Sequence, residues 1–239
     1  MLAKGKTMNQ KRFETKILAE IIVVVALSGV LYSVRPFSMP FGGSVTLGSM
    51  VPIMWLALRR GAKIGIFAGA VFGFLALPID VLMLPYSPIA NPAQVFLDYP
   101  LAFATLGLAG LFRRKGEQLK DLTDVGGYAL LSALFLVGAI IHNAIWMFPS
   151  IIFFIFSVWG IIKKRAWRSP LVGVAVAGIC KFLAHFVSGV IFWAAYAPPE
   201  LGPYLYAAVY NASFLIPEFV ISGFLIYLLV KRGTVEITV

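Results

Sequence analysis

The segment "KFLAHFVSGVIFWAAYAP", Lys181 to Pro198, carries a lysine, a histidine and a tryptophan on consecutive turns of an otherwise apolar stretch. In a helix each four-residue step drifts by about 40° around the axis, so Lys181, His185, Gly189 and Trp193 form one slanting stripe, with Ser188 beside it. Two other stretches hold comparable chemistry. "VFLDYPLAF" puts Asp98 and Tyr99 at the head of an apolar run, and "YLYAAVYNASF" puts Tyr206 and Asn211 at the head of the last one. A carboxylate, an indole, an imidazole, phenols and an amide at one end of a bundle suit a small, flat, cationic, nitrogen-rich ligand. The carboxylate offsets the charge, the indole offers a π face to the cation, and amide and phenol satisfy ring nitrogens. The set suits no evident bond-breaking reaction.

Each residue also has a packing explanation. Asp98 and Lys181 would serve as an ion pair between helices, His185 as a hydrogen-bonded packing residue, and Trp193 with Tyr196 as interface aromatics. Asp80 and Glu218, two further carboxylates in apolar runs, read as structural. Against this stands the cost of placing ionisable groups at membrane depth, which marks such groups as functional by default. Other chemistries are poorly served. The "GKT" at Gly5 to Thr7 lacks the earlier glycine and the strand–helix setting of a phosphate loop. A single cysteine, Cys180, and two histidines, His142 and His185, provide neither a disulfide nor a metal cluster, and there is no Ser/His/Asp set.

The elements that must position these residues are membrane helices. Hydrophobic residues make up 60% of the 239, charged residues 13%, and mean hydropathy is +0.91. Soluble domains carry about 25% charged residues. The apolar material runs without strand-like alternation over roughly 17–34, 44–58, 64–85, 95–112, 125–146, 149–162, 170–197 and 206–230. This pattern predicts an all-α, polytopic membrane bundle of about eight helices. Runs 44–58 and 149–162 are short for a perpendicular crossing, and the prolines and glycines at 36–43 predict an irregular loop before the first of them. The net charge of +10 does not point to nucleic acid. Apart from Arg35 and Lys181, every Lys and Arg sits in a cluster before the first crossing or after each second one, as positive-inside topology requires, which places both termini in the cytoplasm. Gly61, Gly65, Gly69 and Gly73 recur at four-residue spacing, a pattern that lets helices approach closely, within one bundle or between subunits.

"GSMVPIMWLALRRGAKIG" (48–65), "QVFLDYPLAFATLGLAGLF" (94–112) and "KFLAHFVSGVIFWAAYA" (181–197) together resemble the ThiT family. These are thiamine-specific substrate-binding (S) components of energy-coupling factor transporters. The resemblance implies a six-helix core in a single domain over 1–239, with about 123–165 as an inserted helical hairpin. It implies thiamine as ligand, with no cofactor, held by Asp98, Tyr99, Lys181, His185, Trp193, Tyr206 and Asn211. Its partners would be a transmembrane T component, two cytoplasmic ATPases and the lipid bilayer. In the register of the resemblance Gly43 stands where the family has a tryptophan, and Phe41 is the candidate substitute. Ile22 stands opposite Ala26 where the first helix of the family presents two alanines. The readings left beside this one are an S component for another vitamin, such as riboflavin or biotin, and a stand-alone secondary transporter. The latter would be favoured by an internal repeat of the spans, and none is evident.

Overall fold

In a bilayer a single apolar segment can satisfy its own backbone only by coiling into a helix, and the apolar runs do so. The computed structural model describes residues 2–39, 42–85, 87–113, 131, 132, 135, 147–164 and 169–235. Its helices are α1 (Leu2–Ser33), α2 (Val51–Arg60), α3 (Ala62–Met83), α4 (Pro92–Phe112), α5 (Met147–Lys164), α6 (Pro170–Phe192) and α7 (Gly202–Lys231). Among the described residues, five segments are long and apolar enough to cross a membrane: Glu14–Ser33, Ala62–Met83, Pro92–Phe112, Pro170–Phe192 and Gly202–Lys231. The helix starts follow sequence signals. Asn91 and Ser169 each accept a hydrogen bond from the backbone N–H two residues on, and each precedes a proline at the first helical position. The outer rim is apolar, with Leu82, Phe74, Val30 and Val209 all exposed, as lipid contact requires.

The run 44–58 departs from a helical crossing. Phe37–Ser38 (β1) and Ser44–Val45 (β2) form a short antiparallel ribbon, and only the ten residues of α2 are helical. Ten residues rise about 15 Å, half the hydrocarbon thickness. The contacts along α7 show the course of the rest of the segment. The Tyr210 hydroxyl donates to the Gly42 carbonyl, Thr46 and Ser49 donate to Glu218, and Arg59 donates to the Thr234 carbonyl. The chain from 42 to 59 thus runs beside α7 for about 30 Å, half as irregular chain and half as helix. Irregular backbone at this depth is tolerated because protein, not lipid, surrounds it: Ser44, Val45, Thr46, Ser49 and Met50 are all buried.

The glycine pattern resolves into packing within one chain. A Cβ on Gly73 would lie 2.5 Å from the Tyr99 carbonyl oxygen, one on Gly69 would meet the Phe103 carbonyl, and one on Gly65 would meet Ala57 and Gly107. Gly61 is different. It sits at φ +101° and breaks the chain between α2 and α3, a conformation only glycine adopts cheaply. Against this stripe α4 changes its winding along its length. Pro100 has no N–H to give to the carbonyl four residues back, and Leu97–Leu101 is wound as a π-helix. Ala102–Ala104 is α-helical and Thr105–Phe112 is a 3₁₀-helix. The inserted hairpin expected at about 123–165 lies largely outside the described residues. Of it, α5 is seen, with Ser132 and Ser150 exchanging side-chain-to-carbonyl hydrogen bonds and Phe135 stacked on Phe153 at 5.6 Å.

Candidate functional site

The ends of α1, α3 and α6, the starts of α4 and α7, and the ribbon meet around one cavity, at the end of the bundle opposite the basic clusters. Asp98, Tyr99, Lys181, His185, Trp193, Tyr206 and Asn211 all line it. Phe41 lies outside the described residues, although its neighbours Gly42 and Gly43 are part of the wall. The stripe Lys181, His185, Gly189 and Trp193 faces inward over its whole length. Gly189 keeps that face low: a Cβ there would meet Ala207 at 3.0 Å and Asn211 at 3.3 Å.

The two carboxylates that line the cavity each have their own group of partners. Asp98 Oδ1 lies 3.1 Å from His185 Nδ1, and Gln94 Nε2 donates to Asp98 Oδ2 at 2.6 Å. The Asp98 and His185 side chains each retain 15% exposure, so a ligand can reach them. The second group surrounds Asp80, which is 5% exposed. Arg35 donates to its Oδ1 at 2.5 Å, while Tyr32 and Tyr99 donate to its Oδ2 at 3.0 and 2.8 Å. The charge of Asp80 is therefore already compensated, consistent with a structural reading, although its side chain also borders the cavity. Arg35, one of the two basic residues outside the clusters, is the counter-ion that Asp80 uses.

Lys181 does not pair with Asp98. Its Nζ lies 3.3 Å from Met50 Sδ and 4.0 Å from the centroid of the Phe103 ring, and it makes no ion pair among the described residues. The interhelical ion pair is thereby set aside, because α4 and α6 present these two residues at different depths of the cavity. Glu218 is likewise held by Thr46 and Ser49, in keeping with a structural role. Trp193 closes α6 at φ −113° and lines the cavity, with its ring 5.6 Å from that of Tyr196. Tyr196 itself is exposed and is no part of the wall, so the pair divides between the two explanations given for it.

Spacing along single helices missed part of the wall. Gln94, Tyr210 and Phe214 line the cavity beside the expected residues. Tyr210 and Phe214 continue the ladder that starts at Tyr206, with ring separations of 5.6 and 6.2 Å, and that four-residue repeat was available as a signal. Gln94 had none. Phe214 also explains the glycine at 43, whose Cβ would lie 2.6 Å from that ring. The ring fills the space that a side chain at 43 would need.

The sequence profile of the thiamine transporter protein family (Thia_YuaJ) matches residues 18–237. The chain belongs to that family. Among its relatives, the thiamine transporter ThiT of Bacillus subtilis (strain 168) is 26% identical over 227 residues, covering 93% of each chain. ThiT of Lacticaseibacillus paracasei is 26% identical over 162 residues, covering 68% of this chain and 61% of that one. The fold is similar to a solved structure of ThiT from Listeria monocytogenes, with TM-score 0.61, 22% identity, and coverage of 92% of this chain and 96% of that one. Family and spanning helices together make this a multi-pass membrane protein of transport function.

Proposed function

We propose that the cavity binds thiamine and that the chain is the substrate-capturing S component of an energy-coupling factor importer. The observation that carries the reading is the convergence of Asp98, His185, Trp193, Tyr206 and Asn211 on one cavity, in a chain of the thiamine transporter family. Thiamine pairs a thiazolium cation with an aminopyrimidine. Asp98 supplies the negative charge, Trp193 and Tyr206 supply π faces, and Asn211 and Tyr99 supply donors and acceptors for ring nitrogens. The Asn211 amide is already oriented by the Ala207 and His185 carbonyls at 2.8 and 3.3 Å, which leaves its oxygen for a ligand. Phe41, which lies outside the described residues, is kept as a candidate ligand residue on the strength of the sequence resemblance alone. The chemistry is recognition, with no covalent step.

In this proposal the basic clusters lie in the cytoplasm with both termini, and the cavity faces outward. Uptake would be driven by a separate T component and two ATPases. One side of α1, carrying Ile22, Val23, Ala26 and Val30, faces away from the bundle and is available to such a partner. The 123–165 segment is an insertion within a single domain and takes no part in binding. Isothermal titration of the purified protein should show one thiamine per chain, with quenched tryptophan fluorescence from Trp193. Saturation by riboflavin or biotin, with no heat from thiamine, would overturn the assignment.

A further inference from the structure

We infer that Gln94 is a positioning residue of the site, orienting the Asp98 carboxylate and tying it to the outer loop at Pro88–Ala90. Gln94 is 2% exposed, and both ends of its amide are engaged. Nε2 donates to Asp98 Oδ2 at 2.6 Å and to the Pro88 carbonyl at 3.3 Å, while Oε1 accepts from the Ala90 N–H at 3.1 Å. Gln94 stands in the first turn of α4, and Asp98 stands four residues on, where the helix widens into its π turn. Residues four apart share a helix face.

The choice of an amide has a physical consequence. His185 holds one oxygen of the carboxylate and Gln94 holds the other. A lysine or arginine at 94 would also fix the carboxylate, but would cancel the charge that attracts a cation. A glutamine gives the donor and leaves the charge. The carboxylate then meets a cationic ligand already oriented, so less ordering is left for the binding step. Because the same amide takes the Ala90 N–H, the loop at the cavity mouth is built onto the group that reads the ligand's charge.

The affinity arm of the test rests on thiamine being the ligand, whereas a second arm needs no ligand. Gln94→Leu removes all three hydrogen bonds, and Gln94→Met removes them with closer to the length of glutamine and no added charge. Affinities for thiamine and for an uncharged analogue, in which a neutral ring replaces the thiazolium, are compared in both variants and in the Asp98→Asn background. In ligand-free protein the ring ¹⁵N resonances of His185 are recorded for the same set. Loss of thiamine binding should be roughly ten-fold, clearly greater than for the neutral analogue, and should add little once Asp98 is already Asn. The His185 resonances of both Gln94 variants should move from wild type toward those of Asp98→Asn. Equal losses for the two ligands with unmoved His185 resonances would overturn the inference and leave Gln94 a loop anchor. Should wild type bind neither ligand, the thiamine reading fails, and the His185 resonances alone decide for or against Gln94. If Gln94→Leu does not fold, Gln94→Met decides by the same readings.

Discussion

The two ends of α4 are built from adjacent residues of one helix, yet they solve opposite problems. At Leu97–Leu101 the winding is wide, a proline interrupts it, and the neighbours are Asp80, Tyr32, His185 and Gln94. At Thr105–Phe112 the winding is tight and the neighbours include small residues on or between α2 and α3 and Gly173 of α6. Gly107 touches the backbone of Gly65 and Ile66, and Gly110 touches that of Gly61 and Ala62. The tight end gains dispersion contacts by excluding side chains from the interface. The wide end gives up regular helical hydrogen bonding and turns Asp98 and Tyr99 toward the cavity. π-turns are frequent at functional sites, and here its position follows from one proline. A rigid end next to a loosened one gives the cavity-lining groups a fixed base.

Breaking the tight end should have the largest effect. Gly107→Val drives a branched side chain into the α3 backbone, which cannot move aside as a flexible side chain would. A loss of about 3 kcal/mol of stability is expected, seen as a lower melting temperature and poor recovery in detergent. Unchanged melting would mean that the α3–α4 contact is looser than described.

Next in size is the charge at the wide end. Asp98→Asn keeps the shape and removes the charge, and should weaken thiamine binding by about 1.5–3 kcal/mol, roughly ten- to a hundred-fold. Since Lys181 rests on Met50 and Phe103 instead of Asp98, the ligand-free melting temperature should change little. A large drop in it would restore the ion-pair explanation.

A smaller effect sharpens the comparison between the ends. Gly73 and Gly65 lie on one stripe, but Gly73 abuts Tyr99 and Pro100 while Gly65 abuts Ala57 and Gly107. Alanine at either position should lower stability by about 1–3 kcal/mol. Only Gly73→Ala should also weaken thiamine binding, by about five-fold, because it displaces the turn that carries Asp98. Matching affinities in the two variants would show that the winding of α4 does not set the site. The smallest effect is expected from replacing about 123–165 by a short polar loop, which should leave affinity within a few-fold in a titration of the folded variant.

Much of the site could be read from the chain because its residues recur at helical spacing. Lys181, His185 and Trp193 announce a face, and a lone Asp–Tyr pair at the head of an apolar run announces a second. What joins them was not legible. That Asp98 meets His185 and that Lys181 meets Met50 depend on distances between helices, which no spacing along one helix reports. Gln94 looks like any polar residue in a first turn, and its role exists only through the loop folded over it. The half-irregular course of 42–59 beside α7 was hidden for a different reason. Hydropathy measures whether a segment is apolar, and Val45 and Met50 are equally apolar in a ribbon, a loop or a helix. The prolines and glycines before it signalled irregular chain, without showing how deep that chain would run.

One feature of α6 bears on how such a chain can vary. A Cβ on Gly173 would meet the Ala109 carbonyl and lie 2.9 Å from Phe112 Cβ. The point where the chain leaves α4 and the point where it enters α6 are therefore held side by side by the core. For a tethered loop whose ends are already pinned together, the entropic penalty grows only with the logarithm of its length, about 0.6 kcal/mol for each doubling. To the bundle, the excursion between 113 and 169 is thus close to neutral in length. Extra chain can be gained or shed at this junction with little thermodynamic trace in the helices that surround the cavity.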